Sequence, residues 1–163
     1  VIYTIRLKRR TWLNIVFGGA AGRFAVLTGA AVADRALGPL PLLLALILFL
    51  WTPPHFWSLA IANRDEYAGA GIPMLPVVVG VERAARIVHV NAWVLVLVSF
   101  LPALFGAGLI YLFAAIAGGA WFLLRTAKLA RSPDRRTALA AFFASMVQLA
   151  VLIGGVALDA LFR

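Results

Sequence analysis

Two histidines, six acidic residues and no cysteine are all that this 163-residue chain offers for metal or proton chemistry. One histidine and two of the acids fall in one stretch, Trp51 to Gly80, WTPPHFWSLAIANRDEYAGAGIPMLPVVVG. If a helix continues through it, His55, Ser58, Ala62, Asn63 and Glu66 recur at i, i+3, i+7, i+8 and i+11, on one face. Asp65 sits beside Glu66. Such a carboxylate pair suits Mg²⁺, which favours oxygen ligands and often takes one or two carboxylates plus substrate phosphates. An Asp-Glu pair at a helix end also reads as two solvated, screened charges. His55 has open readings of its own. It is a candidate iron ligand, proton shuttle or hydrogen-bond partner of a substrate, or a donor to a carbonyl freed by Pro53 or Pro54. Arg6, Lys8, Arg9 and Arg10 form a dense basic cluster. That cluster either neutralises a phosphate through charge-assisted hydrogen bonds or anchors a cytoplasmic segment.

The elements that position these groups are apolar helices. Hydrophobic residues make up 64% of the chain and charged residues 13%, against about 45–50% and about 25% in soluble domains. Lipid is the solvent this composition implies. The absence of cysteine excludes disulfides and thiolate metal sites. The net charge of +9 falls in short clusters between apolar runs, a pattern of membrane topology rather than of nucleic-acid binding. The start, VIYTIRLKRR, has neither an initiator methionine nor a signal-peptide h-region, so a fragment or a truncated product is expected.

Spanning helices need about 20 mostly apolar residues. The pattern predicts five, over about 14–33, 40–62, 87–105, 109–124 and 137–158. Pro53 and Pro54 are expected to kink the second. A polar loop, 63–86, follows as the cap of a cavity, and RTAKLARSPDRR is a basic loop. Arg23 sits near the middle of the first span, where it either faces a cavity or an anion or snorkels to an interface. Trp12, Trp51, Phe56, Trp57 and Trp93 are candidates to line a cavity, although interfacial aromatics need no ligand. His89 is expected at an interface. With a cytoplasmic N-terminus, twelve basic residues fall on that side and only Arg35 and Arg163 opposite. The N-terminus and loop 63–86 are thus expected in the cytoplasm and the C-terminus outside.

Three blocks carry a resemblance: YTIRLKRRTWLNIVFGGAAG (Tyr3 to Gly22), LWTPPHFWSLAI (Leu50 to Ile61) and DEYAGAGIPMLPVVVG (Asp65 to Gly80). In their order and spacing the sequence resembles the heme O synthase (protoheme IX farnesyltransferase) family of UbiA-type intramembrane prenyltransferases. The resemblance implies an all-α, multi-pass bundle of nine spanning helices, of which residues 1–163 are the C-terminal part with about five. It implies two acidic motifs facing each other across a cytoplasm-facing cavity, with Mg²⁺ bridging them to farnesyl diphosphate. Diphosphate departs, the heme vinyl group attacks the allylic cation, and water completes heme O. Residue by residue, Asp65 and Glu66 match the second acidic motif, as catalytic Mg²⁺–diphosphate ligands. Lys8 and Arg9 match a block beside the active-site mouth and are expected to touch diphosphate. His55 is expected to contact heme, and Asn63 and Tyr67 join the substrate-binding set. Two departures stand out. The first acidic motif has no counterpart, and the family's Pro-Pro pair in the first helix is Ala25 and Val26 here.

The function expected is therefore farnesyl transfer to protoheme IX, by an enzyme whose four missing helices leave this chain inactive alone. Its substrates are farnesyl diphosphate and protoheme IX, with heme a substrate rather than a resident cofactor. Its setting is a bacterial inner membrane, with heme A synthase or oxidase assembly factors as downstream partners. The alternative is a non-catalytic paralogue that binds heme or prenyl lipid or assists oxidase assembly. A small transporter would also use broken helices, but no inverted repeat supports it.

Overall fold

Residues 38–162 are described in a computed structural model of the chain. Seven helices follow one another: α1 (Pro39–Ala62), α2 (Arg64–Gly69), α3 (Leu75–Val79), α4 (Val81–Val98), α5 (Leu101–Leu104), α6 (Leu109–Arg131) and α7 (Arg135–Leu161). No strand occurs among the described residues. Four segments are long and apolar enough to cross a membrane: Pro39–Ala62, Val81–Leu104, Leu109–Arg131 and Arg135–Leu161. Each packs on the next and α7 returns to α1, so they close into a four-helix bundle. The expected first span, residues 14–33, lies outside the described residues, as do Lys8, Arg9 and Arg23.

Local chemistry sets the helix ends. Proline at the start of α1 has its φ preset for a first turn, where its missing N–H is not needed. At α7, Asp134 accepts the Thr137 N–H at 2.7 Å while the Thr137 hydroxyl oxygen accepts the Asp134 N–H at 3.1 Å. This reciprocal capping box satisfies two otherwise orphaned donors. Pro102 separates α4 from α5, because it cannot donate to the Val98 carbonyl and its ring crowds that oxygen.

The interior is built from small residues. Ala60, Ala84, Ala85, Ala92, Ala138 and Ala141 are fully buried. In lipid, close backbone approach replaces the hydrophobic drive between helices. Gly155 shows the tightness: a Cβ there would stand 2.8 Å from the Ala114 Cβ and 3.2 Å from the Tyr111 Cα. Tyr111, Phe122, Leu95 and Leu129 are also buried, but many large apolar side chains point the other way, with Leu97, Phe113, Leu124, Phe143 and Ile153 exposed around the bundle. That inversion suits a lipid exterior.

Several expected boundaries move. The third span begins at Val81 rather than Ile87, so Arg83 and Arg86 are helical. The fourth continues to Arg131 and takes up much of the expected basic loop. The fifth runs from Arg135 to Leu161. The segment 63–86 is not one loop, since α2, α3 and the start of α4 lie in it. Helix α1 runs unbroken through Pro53 and Pro54, both buried. Neighbouring helices and hydroxyl side chains allow prolines inside a spanning helix. Here Thr52 and Ser58 flank the pair, and each donates its hydroxyl to the carbonyl four residues back, Leu48 and Pro54. The acceptors that Pro53 and Pro54 cannot serve are those of Phe49 and Leu50.

The two ends of the bundle differ in charge. Arg64, Arg83, Arg86, Arg125, Lys128, Arg131, Arg135 and Arg136 all belong to the end where α1 and α6 finish and α4 and α7 begin. One apolar core cluster joins those same segments, through Ile61, Ala84, Leu129 and Ala138. The opposite end has no basic residue among those described.

Candidate active site

His55 is held on the seam between α1 and α7. Its Nδ1 lies 2.7 Å from the Ser145 Oγ. The Ser145 hydroxyl donates its one proton to the Phe142 carbonyl at 2.6 Å. The oxygen of Ser145 is therefore the acceptor, and His55 carries its proton on Nδ1. The imidazole stacks on Trp51, with ring centroids 4.1 Å apart, and on Phe142 at 4.5 Å. The Trp51 indole N–H is itself fixed on the Ser145 carbonyl at 2.8 Å. Nε2 makes no hydrogen bond among the described residues and presents a lone pair. A histidine whose other ring N–H is anchored in this way is set up as a ligand or a base.

The second histidine is fully engaged. The Trp93 indole can only donate, and it lies 3.2 Å from the His89 Nε2. His89 thus donates from Nδ1 to the Thr126 Oγ1 at 3.0 Å. This network ties α4 to α6 and leaves no ring nitrogen for chemistry.

The helical face expected to run from His55 to Glu66 is broken. Asn63, with φ −116° and ψ 28°, ends α1 and hands the chain to α2. His55, Ser58 and Ala62 are buried, whereas Asp65 and Glu66 are exposed in the first turn of α2. The Asp65 side chain is 95% exposed and among the described residues pairs only with Arg64, at 3.1 Å. Asn63 acts through its backbone, donating to Leu59 and accepting from Tyr67. Tyr67 is half-buried against the apolar cluster beside α1 and α4. Beyond it, the Ile72 N–H reaches the Tyr67 carbonyl and the Gly71 N–H that of Ala68. Gly71 takes the left-handed φ of 64° that this helix-ending motif requires.

Asp65 and Glu66 are oxygen donors of the kind Mg²⁺ takes, and both are exposed among the described residues. No cluster of three or more potential metal ligands occurs among the described residues. The pair fits the role of one side of a metal–diphosphate site and does not complete one.

Besides Ser145, two further buried polar groups on α7 escaped the sequence reading. Gln148, one turn from Ser145, is 1% exposed, and neither its amide nitrogen nor its oxygen has a partner among the described residues. Asp159 accepts the backbone N–H of Gly108 at 2.6 Å and of Tyr111 at 3.1 Å. It caps α6 from a neighbouring helix, and the Tyr111 hydroxyl continues the tie to the Ser99 carbonyl at 2.8 Å. Ser145, Gln148 and Asp159 stand at helical spacing in an apolar run, the signal that could have marked them. Next to the His55 seam, Leu44, Ile47, Leu48, Leu149, Leu152 and Ile153 line an almost wholly apolar groove of about 360 Å³.

A family model described as the UbiA prenyltransferase family matches residues 1–148. The chain belongs to the UbiA prenyltransferase family. Among its curated relatives, protoheme IX farnesyltransferase 2 of Paramagnetospirillum magneticum is 56% identical over 161 residues, covering 99% of the chain and 56% of the relative. Protoheme IX farnesyltransferase of Thermus thermophilus is 45% identical over 98% of the chain and 26% of its own length. That of Frankia casuarinae is 44% identical over 98% of the chain and 57% of its own length. The chain thus spans about half the length of the first of these relatives, and less of the second. No solved structure matches it. The four apolar helices and the family together make this an integral membrane protein.

Proposed function

We propose that this chain is part of an enzyme that transfers a farnesyl group from farnesyl diphosphate to a vinyl group of protoheme IX, giving heme O. The observation that carries the reading is the 56% identity, over nearly the whole chain, to a relative named protoheme IX farnesyltransferase. In the reaction, the C–O bond to diphosphate breaks and its electron pair leaves with the diphosphate. The vinyl group forms the new C–C bond, and water adds a hydroxyl to the carbon left electron-poor, releasing a proton.

Asp65 and Glu66 would hold Mg²⁺ against the diphosphate, with the opposing acidic motif outside these 163 residues. The metal would stabilise charge building on the departing diphosphate. Lys8 and Arg9 would add charge-assisted hydrogen bonds to the same group. Asn63 and Tyr67 would shape the passage between that site and the buried seam. His55, its Nδ1–H held by Ser145, would turn its Nε2 lone pair to the heme. The apolar groove beside that seam suits a prenyl chain or a macrocycle edge and keeps water from the reacting carbon. The setting proposed is a bacterial inner membrane with the basic end of the bundle in the cytoplasm, supported by the one-sided placement of arginine and lysine. Heme A synthase or oxidase assembly factors would receive the product.

The test uses the polypeptide as encoded, reconstituted in lipid with heme B, farnesyl diphosphate and Mg²⁺. Heme O should form, and it should fail to form with chelator or with Asp65→Ala. No heme O from the intact polypeptide would overturn the activity, and full activity of Asp65→Ala would remove the metal role of Asp65.

A further inference from the structure

The first two turns of α4 carry Arg83 and Arg86, and neither has an ion-pair partner among the described residues. Glu82 lies in the same first turn and the Arg86 Nε reaches its backbone carbonyl at 3.5 Å, yet two guanidinium groups still stand at a helix end that carries partial positive charge and favours anions. With Ile87, Val90 and Asn91 they line a recess of about 330 Å³, and no carboxylate lines it among the described residues. Below it, an apolar stripe continues down the same face of the helix. Val90 is 61% exposed, Val94 43% and Leu97 59%. From Arg86 to Leu97 the helix rises about 16 Å, close to half of a hydrocarbon core about 30 Å thick.

We propose that this face of α4 is a binding site for an anionic phospholipid. Its phosphate sits between Arg83 and Arg86, and one acyl chain lies along Val90, Val94 and Leu97. Charge complementarity selects the headgroup. Guanidinium groups give a phosphate paired, charge-assisted hydrogen bonds, and the helix end adds to the same attraction. The lack of a carboxylate argues against a metal-bound diphosphate, which would need acidic ligands for its cation. The length of the stripe matches one leaflet, and its exposure leaves room for a chain. The site uses none of the residues placed in the farnesyl-transfer chemistry, so it stands or falls separately from that reading.

The experiment is native mass spectrometry of the polypeptide as encoded, released from detergent with phosphatidylglycerol or phosphatidylcholine. Phosphatidylglycerol should bind preferentially. Each of Arg83→Ala and Arg86→Ala should weaken it about fivefold, and the pair about 30-fold. The control variant Arg135→Ala/Arg136→Ala removes the same charge from the same end of the bundle and should leave binding within about twofold of the parent. Equal losses in the two double variants would show a diffuse charge effect and overturn the site. So would unchanged binding in the Arg83 and Arg86 variants, or displacement of phosphatidylglycerol by farnesyl diphosphate. The two single variants keep the test open if the double variant fails to fold.

Discussion

The imidazole of His55 and the hydroxyl of Ser145, 90 positions apart in the chain, meet at 2.7 Å across the α1–α7 seam. Because Ser145 donates to Phe142, that contact determines which ring nitrogen carries the proton. Ser145→Ala leaves a buried Nδ1–H without its acceptor and should cost about 1–3 kcal/mol of stability, read by thermal unfolding in detergent. Ring ¹⁵N shifts of the parent should report the Nδ1–H tautomer, and the variant should show a mixture. An Nε2–H form in the parent would contradict the assignment.

Asp159 holds two backbone donors at the start of α6. Asp159→Ala strands both, and at about 1–3 kcal/mol for each unsatisfied group it should be among the most destabilising single changes in the bundle. Asp159→Asn keeps a carbonyl acceptor and should cost less. Hydrogen exchange at Gly108 and Tyr111 gives the local readout. Unchanged protection in Asp159→Ala would mean that water or another group replaces the carboxylate.

Gln148 is buried, and its amide has no partner among the described residues. Replacing a polar group of this kind by a hydrophobe of similar shape removes a desolvation penalty of about 1–3 kcal/mol. Gln148→Met should therefore raise the unfolding midpoint. A fall in stability would show that the amide has a partner in the intact protein.

Asp134 gives a pH dependence outside the spanning segments. The Thr137 backbone N–H, received at the start of α7, holds its carboxyl below the usual carboxylate range. A depressed folded-state pKa gives stability that is fully present above the unfolded pKa and is lost as pH falls through the folded one. The contribution should fade below about pH 4. Asp134→Asn, which keeps an N-cap acceptor, should flatten that acid limb and leave neutral-pH stability nearly unchanged, as pH-resolved unfolding would report. An identical acid limb in the variant would refute the assignment.

Four apolar runs were enough to place α1, α4, α6 and α7, since a segment that must satisfy its backbone inside lipid has few options besides a helix. The block around His55 and the Asp65-Glu66 pair gave the family, and the match over residues 1–148 agrees. Helix ends were less legible. Lipid-based hydropathy stops at charged residues, yet α4 and α6 extend through Arg83, Arg86 and Lys128, because long cationic side chains reach past the apolar boundary. Only the tertiary structure separated the histidine from the acids. On a continuous helix they share a face, but the turn at Asn63 turns Asp65 and Glu66 out to solvent while α7 closes over His55. The sequence alone determined that this is a membrane-embedded helical protein of a recognisable family with one acidic pair. Which nitrogen of His55 is available, and what caps α6, depended on pairings between residues about 50 to 90 positions apart, which helical periodicity within one segment cannot encode.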